Sequence, residues 1–445
     1  MEPRPEDPIK SFVVPAPTKG LNYKQAYPFM DPDTAISMSN LIPNGATVDV
    51  RRGIEHLVAI ESGYKGEAIA PLESATGKTY HIVCGSKVGN PAKFGVFNMT
   101  ASPAVKIDEM DLVYLSTVPC QRVMFTSYRN ELFILRPGFQ KIIKITPPAA
   151  ATSDSTDVFT TASYYGSAMG SYNSRIYISD GSTQKLWYTE VDQVAGAMPA
   201  GNSYDISSLL TLGGQVVFCG SVIRQEGSLS QNLLGVVTDK GEVLIFQGSY
   251  PGSTTWAIVA RYIIPRPLGS GAFFYIGNSL YILTESSLVS LADLSINYEK
   301  TNNLSVISTK INPWLQTITT SAMSNVSYRD LVSAAYHAKT NRVFISLPYP
   351  KMPLVTAFGV LVVDIETRAW GFLDYPTWFN YLTCIGSEVY AIADSETYKL
   401  EAKDNGDDVF NLSTGSWTEN AISYSAQLAP NYNEDFSTTK QFTEV

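Results

Sequence analysis

NSRIYISDGSTQKLWYTE, residues 173–190, reads as two short strands around a polar turn. Ile176, Tyr177 and Ile178 form one apolar run, and Leu186, Trp187 and Tyr188 form the other. β-Branched and aromatic side chains suit a pleated, buried surface. Asp180-Gly181-Ser182 supplies the turn, because Asp bonds its local backbone and Gly accepts a positive φ. The same grammar recurs along the chain. GKTYHIVCGSKVGNPAKFGVFN begins at Gly77, NELFILRPGFQKIIKI at Asn130 and NLLGVVTDKGEVLIFQG at Asn232. GNSLYILTESSLVSL begins at Gly277, a split hairpin ending FGVLVVDIETRAW at Asn341, and GSEVYAIADSETYKLEA at Gly386. A four-stranded propeller blade occupies about 40–50 residues, and longer intervals carry loop insertions.

One such sheet cannot bury both of its faces, whereas sheets stacked radially around a channel can. The expected fold is all-β: a β-propeller of about six to eight blades with loop insertions and an extended N-terminal arm. A pair of β-sandwiches is the competing all-β arrangement. The organisation divides into residues 1–55, an arm with a short helix; 56–403, the propeller; and 404–445, strands that close a blade or meet a partner. Asp31-Pro32 signals the helix, as a capping residue followed by proline, ending near Asn40 before Pro43. The closing KQFTEV reads as a further strand.

Composition narrows the function. The 445 residues carry a formal charge of −9, only 16% are charged, and 44% are hydrophobic, with 26 tyrosines. A protein that grips nucleic acid through its phosphates needs a basic excess, so that class is excluded. So few charges imply that part of the surface is covered by other subunits. The uncharged runs 206–223 and 267–284 are interrupted by Gly213-Gly214 and Gly277-Asn278, and read as pairs of buried strands rather than membrane spans. Cys84, Cys120, Cys219 and Cys384 lie too far apart for a metal knuckle and read as buried free thiols. The opening MEPRPEDPIK has no apolar core of the signal-peptide kind.

Chemistry is sparse. His56, His81 and His337 have no metal-ligand spacing, and no nucleophile elbow or phosphate loop occurs. The turn carboxylates, among them Asp180, Glu242, Asp364 and Glu396, have the hairpin turn as their ordinary role. The expectation is a protein without catalysis, cofactor or metal.

The stretch 20–57, GLNYKQAYPFMDPDTAISMSNLIPNGATVDVRRGIEHL, resembles the opening of propeller-type tail proteins of short-tailed bacteriophages. The matching residues are Gly20, Leu21 and Asn22; Met30, Asp31 and Pro32 with Ala35; Asn40 and Pro43; and Val48, Val50, Arg51 and Gly53. Two later stretches, 268–291 and 366–401, resemble the late blades of that group. Asp394-Ser395-Glu396-Thr397 departs from it, lacking the usual Asp-Gly turn.

The resemblance implies a virion component made in the host bacterial cytoplasm: a tail nozzle or hub that retains packaged DNA and conducts it during ejection. It implies a homo-oligomeric ring, commonly a hexamer, joined to portal or adaptor and to tail fibres or spikes. DNA would pass its lumen without specific binding, and the acidic composition suits that. The alternative is a carbohydrate-binding or carbohydrate-active propeller for receptor recognition, with Trp187, Trp370 and Trp378 as candidate glycan platforms.

Overall fold

The hairpin 173–190 is the central strand pair of a four-stranded antiparallel sheet, flanked by Gly166–Tyr172 and Ser203–Asp205. This comes from a computed structural model that describes residues 15–26, 29–100, 102–111, 122–138, 142–147, 156–157, 165–199, 201–226, 229–292, 294, 307–324, 332–347, 358–404, 406–411 and 416–428. Each of the seven hairpins read from the sequence is likewise the second and third strand of one sheet. The fold is a seven-bladed β-propeller. Blades 1 to 7 begin at the innermost strands Tyr64–Glu73, Met124–Tyr128, Gly166–Tyr172, Val216–Glu226, Phe273–Ile276, Ser333–His337 and Tyr381–Ile385. Blade 5 has three strands among the described residues and the others four.

The apolar interior is a set of seams between blades. Leu132 and Ile134 of blade 2 pack on Ile82 and Phe94 of blade 1. Phe133 and Leu135, the alternate residues of the same strand, pack on Ile176 and Ile178 of blade 3. Tyr177 then meets Leu234 and Val236 of blade 4, whose Leu233 and Val237 face Ile282 of blade 5. Leu283 meets Val343 and Ile345 of blade 6, and Phe344 between them faces Ala391 of blade 7. Ile392 meets Ile69 and Val83 of blade 1, and the ring is closed. Period-two alternation therefore sends successive side chains into different seams. A strand buried on both faces reads as an unbroken apolar run, which is why these hairpins lack polar alternation. Each fully buried Leu, Ile or Phe contributes about 1.5–3 kcal/mol relative to exposure. Close approach needs glycine in places: a Cβ on Gly170 of blade 3 would stand 2.0 Å from the Cys219 carbonyl oxygen of blade 4.

Closure also uses the chain's beginning. The outermost strand of blade 7 is Gly53–Ala59, antiparallel to Glu396–Lys403. The expected boundary at 55/56 therefore falls inside a propeller strand. The 404–445 region closes no blade within its described part. Gly406–Asn411 and Ser416–Ala421 form a separate hairpin, and Ser425–Leu428 pairs with Ala35–Ser39. Residues 429–445, with the expected last strand, lie outside the described residues, as do Pro3, Pro5 and Pro8 of the arm.

One helix expectation fails, and one helix stands where none was expected. Asp31-Pro32 starts a single turn, closed by the Thr34 amide and hydroxyl donating to the Asp31 carbonyl at 3.0 and 2.6 Å. The chain then straightens, because Ala35–Ser39 is paired with the C-terminal strand and Ala35 with Leu21. Tertiary pairing overrides a weak local preference here. Conversely, an unexpected α-helix spans Asn312–Ser324, with Pro313 at its first turn. The run 267–284 does hold two strands, Phe273–Ile276 and Ser279–Leu283. The run 206–223 instead holds a 3-10 turn, Ser207–Leu209, and one long strand from Val216. No helix among the described residues is long and apolar enough to cross a membrane.

Candidate functional site: a terminal clasp and the central channel

Residues of the stretch 20–57 converge on one structure, a clasp that binds the described segments before residue 57 and after residue 405 to blades 6 and 7. Gly20 has φ +70° and lies against Trp370, so close that a Cβ would stand 2.4 Å from the Trp370 carbonyl oxygen. The Leu21 amide donates to that oxygen at 2.9 Å, and the Leu21 side chain is buried. Asn22 is buried and organises the following turn, accepting from the Lys24 amide at 3.1 Å and donating to Gln25 at 2.8 Å. Met30 is buried, Asp31 forms the turn above, and Pro32 lies within that turn. Pro43 sits in the hairpin Leu41–Asn44 with Thr47–Val50.

The clasp centres on Arg51, whose side chain is 2% exposed. Its Nη1 and Nη2 donate to the two Asp407 carboxylate oxygens at 2.7 and 2.5 Å. Nη2 also donates to the Asp374 carbonyl at 2.6 Å, and Nε to Asn40 Oδ1 at 2.7 Å. The guanidinium lies 4.3 Å above the Tyr375 ring. Burial works against the charge, but the Asp407 bonds and neighbouring carboxylates hold Arg51 above the usual arginine pKa. Asn40, with φ +58°, completes the set: its Oδ1 also accepts the Asp374 amide at 2.7 Å, and its Nδ2 donates to the Ser423 carbonyl at 2.6 Å.

Two adjacent carboxylates of the C-terminal hairpin serve the closing strand directly. Asp407 accepts the Ile54 amide at 3.1 Å, and Asp408 accepts the His56 amide at 3.0 Å. Side chains thus cap outward N–H groups of an edge strand, which protects that edge from foreign strands. Gly53 permits the approach, since a Cβ there would stand 1.6 Å from the Gly406 carbonyl oxygen. His56 stacks on Trp417 at 3.8 Å and contacts Glu396 at 2.6 Å. The partners of Asp407 and Asp408, 353 and 352 residues away, are not expected from the sequence. The adjacency of Asp407 and Asp408 was the available signal.

The three candidate tryptophans differ in exposure. Trp370 is fully buried and donates to the Ile307 carbonyl at 3.2 Å, so it presents no platform. Trp187 is half-buried against the seam of Phe133 and Ile178, and Trp378 is also half-buried. Of the turn carboxylates, Asp180 accepts locally from Ser182 and Thr183, and Asp364 from Thr367, whereas Glu242 and Glu396 depart from the hairpin-turn expectation and hold Thr211 and His56, 31 and 340 residues away. Among the described residues, no group of three or more His, Cys, Asp or Glu could hold a metal ion. His337 is engaged by Thr340 and Ser387, and burial beside Tyr390 lowers the pKa of His81.

The inner strands enclose a channel with two compartments. One, about 450 Å³, lies toward the beginnings of those strands and contains Arg122, whose Nη2 donates to the Asn380 carbonyl. The other, about 420 Å³, lies toward their ends and has no charged lining residue among the described ones. Phe125, Met169, Phe218 and Tyr275 border both. This channel lies within the single propeller.

No family model matches the chain, and no curated protein matches it. Solved structures similar to it include YCF48 bound to a D1 peptide, with a TM-score of 0.42 and 10% identity over 79% of this chain and 96% of that one. Saccharomyces cerevisiae Sqt1 gives 0.45 and 10%, over 82% and 87%. The extracellular domain of the putative hybrid two-component system BT4673 from B. thetaiotaomicron gives 0.49 and 10%, over 82% of this chain and 42% of that one. At these identities the likeness concerns the fold alone.

Proposed function

We propose that this chain is a structural subunit of a short-tailed phage tail, forming the nozzle or hub ring that retains packaged DNA and conducts it at ejection. The observation that carries the reading is the convergence of the phage-like residues on the clasp. Gly20, Leu21, Asn40, Arg51 and Gly53 all fix how the two chain ends lie against the propeller. A motif used in this way specifies the placement of extensions outside the propeller, where copies and adaptor would meet. Val50, Phe410 and Tyr424 are exposed on these extensions, in keeping with a surface covered on assembly. The role is architectural, without catalysis or cofactor, and DNA slides past because it meets few cations.

Size-exclusion chromatography with light scattering tests the proposal, on the purified chain alone and with the adaptor encoded in the same genome. A closed ring, or a stable complex with adaptor, is expected. A persistent monomer that also fails to join adaptor removes the reading. An image of the assembled particle should place a neutral or acidic surface toward the lumen, and a basic lumen would contradict DNA sliding.

A further inference from the structure

We infer that the uncharged compartment of the propeller channel is a binding site for a neutral saccharide. Four consecutive blades supply its polar rim: Ser127, Ser171 and Ser221 from the inner strands of blades 2, 3 and 4, and Asn278 from the first turn of blade 5. The Ser221 hydroxyl already donates to the Asn232 side-chain oxygen, while serine hydroxyls such as those of Ser127 and Ser171 rotate and can donate or accept, and an amide does both from fixed atoms. Such a rim suits a ligand whose own groups are hydroxyls. Phe218 and Tyr275 supply the apolar wall, matching the C–H face of a sugar ring.

Charge decides the ligand class. Among the described residues no Asp, Glu, Lys, Arg or His lines this compartment, which favours a neutral sugar over a charged one. Size agrees: about 420 Å³ lies toward the small end of the roughly 300–1,000 Å³ typical of small-molecule sites, suiting a mono- or disaccharide. The wall is also ordered before any ligand arrives. The Tyr275 hydroxyl donates to the Ser221 carbonyl at 2.7 Å, which fixes its ring, and Phe218 stacks on Phe273 at 4.9 Å. Preorganisation of this kind reduces the ordering cost of binding. The tryptophans named from sequence have no part in it, since none lines the compartment.

The test is saturation-transfer NMR and calorimetry on the full chain, with neutral hexoses, their disaccharides and the matching uronic acids. Binding of at least one neutral sugar, on the order of millimolar or tighter, is expected, with the uronic acid weaker by about tenfold. Ser171→Leu fills the compartment and Tyr275→Ala removes its wall, and each should weaken binding about tenfold or more. Tyr275→Phe keeps the ring but removes the bond that fixes it, and should weaken binding less than Tyr275→Ala does. Asn278→Trp obstructs the rim from an exposed turn, and serves if an inner-strand variant fails to fold. The inference is overturned if no neutral sugar binds, if uronic acids bind equally well, or if Asn278→Trp binds as the native chain does. Ring formation, read separately by light scattering, is independent of these outcomes.

Discussion

Arg51 and Asp407 lie 356 residues apart and form a buried bidentate ion pair that ties the chain's two ends to blade 6. Planar fork-to-fork geometry is the reason arginine serves here, since lysine would meet only one oxygen at a time. Asn40 and Asp374 extend the same network to the strand pairing of 35–39 with 425–428 and to the outer strand of blade 6.

Breaking this pair from one side should be costly, because the remaining charge stays buried. Arg51→Ala and Asp407→Ala are each expected to lose about 3–5 kcal/mol, measured by chemical denaturation. Reversing the pair, with Arg51→Asp and Asp407→Arg together, should recover part of either single loss. Hydrogen exchange should show where the loss falls: the Ile54 and His56 amides lose protection in Asp407→Ala, while the seam between blades 3 and 4 keeps it. Uniform loss of protection across all blades would show that the clasp is not a separable unit.

Asp374 gives the network a pH dependence of its own. Burial raises its carboxyl pKa, Arg51 opposes the rise, and Asp407 adds to it. Its Oδ1 is buried with no hydrogen-bond partner among the described residues. A raised folded-state value means that the native protein favours the protonated acid. The stability this group contributes is therefore present below the unfolded value of about 3.9 and is lost as pH rises through the folded value. Asp374→Asn should melt higher than the native chain at neutral pH, and the difference should shrink as pH approaches 4. A variant that melts lower at neutral pH would mean that ionised Asp374 supports Arg51 more than burial penalises it.

The blades were legible because each hairpin carries its own signal: strand-forming residues, a turn residue and a length. Both faces of these strands are buried, so the apolar runs stood out even though alternation did not. The turn at Asp394 has no glycine, yet Asp394 itself takes φ +50° and joins the strands at Ala393 and Glu396. The clasp was legible only as a motif. Its meaning depends on partners more than 300 residues away, and no local preference encodes such a distance. The failed helix at residues 31–40 has the same cause, because Ala35–Ser39 is held straight by strand 425–428. The helix at Asn312–Ser324 was missed although Asn312-Pro313 carries the same starting signal, its Thr-rich sequence offering weak helical preference.

Glu242 shows how a blade holds its insertion. Its carboxylate is fully buried and accepts the Thr211 amide at 2.9 and 2.8 Å and the Leu212 amide at 2.8 Å. Arg261 stands 3.6 Å away at the surface. These bonds anchor the loop between blades 3 and 4, and bonds to a charged acceptor contribute about 1.5–3 kcal/mol each. Glu242→Gln keeps the shape, loses the charge and turns one acceptor into a donor facing amide donors. It should destabilise the chain by about 2–3 kcal/mol. Exchange at Thr211 and Leu212 should quicken more than at Val236 on the neighbouring strand, and equal changes at all three would refute a local anchor.

The thiols should separate by accessibility and by acidity. Cys84 and Cys219 are buried in the blade 1–2 and blade 3–4 seams, Cys384 is half-buried on the channel wall, and Cys120 lies outside the described residues. Burial raises the thiol pKa of the three described cysteines, to about 12 for Cys219. Alkylation needs the thiolate, so a raised value slows reaction even where the reagent can reach. Iodoacetamide on the native chain, read by peptide mass spectrometry, should modify Cys384 slowly and leave Cys84 and Cys219 intact until the chain unfolds. The Cys384 rate should keep rising above pH 9, where an unperturbed thiol would level off, because its titration lies higher. Fast native labelling of Cys219 would mean that the seam between blades 3 and 4 opens, and that the two halves of the propeller are less firmly joined than Gly170 against Cys219 implies.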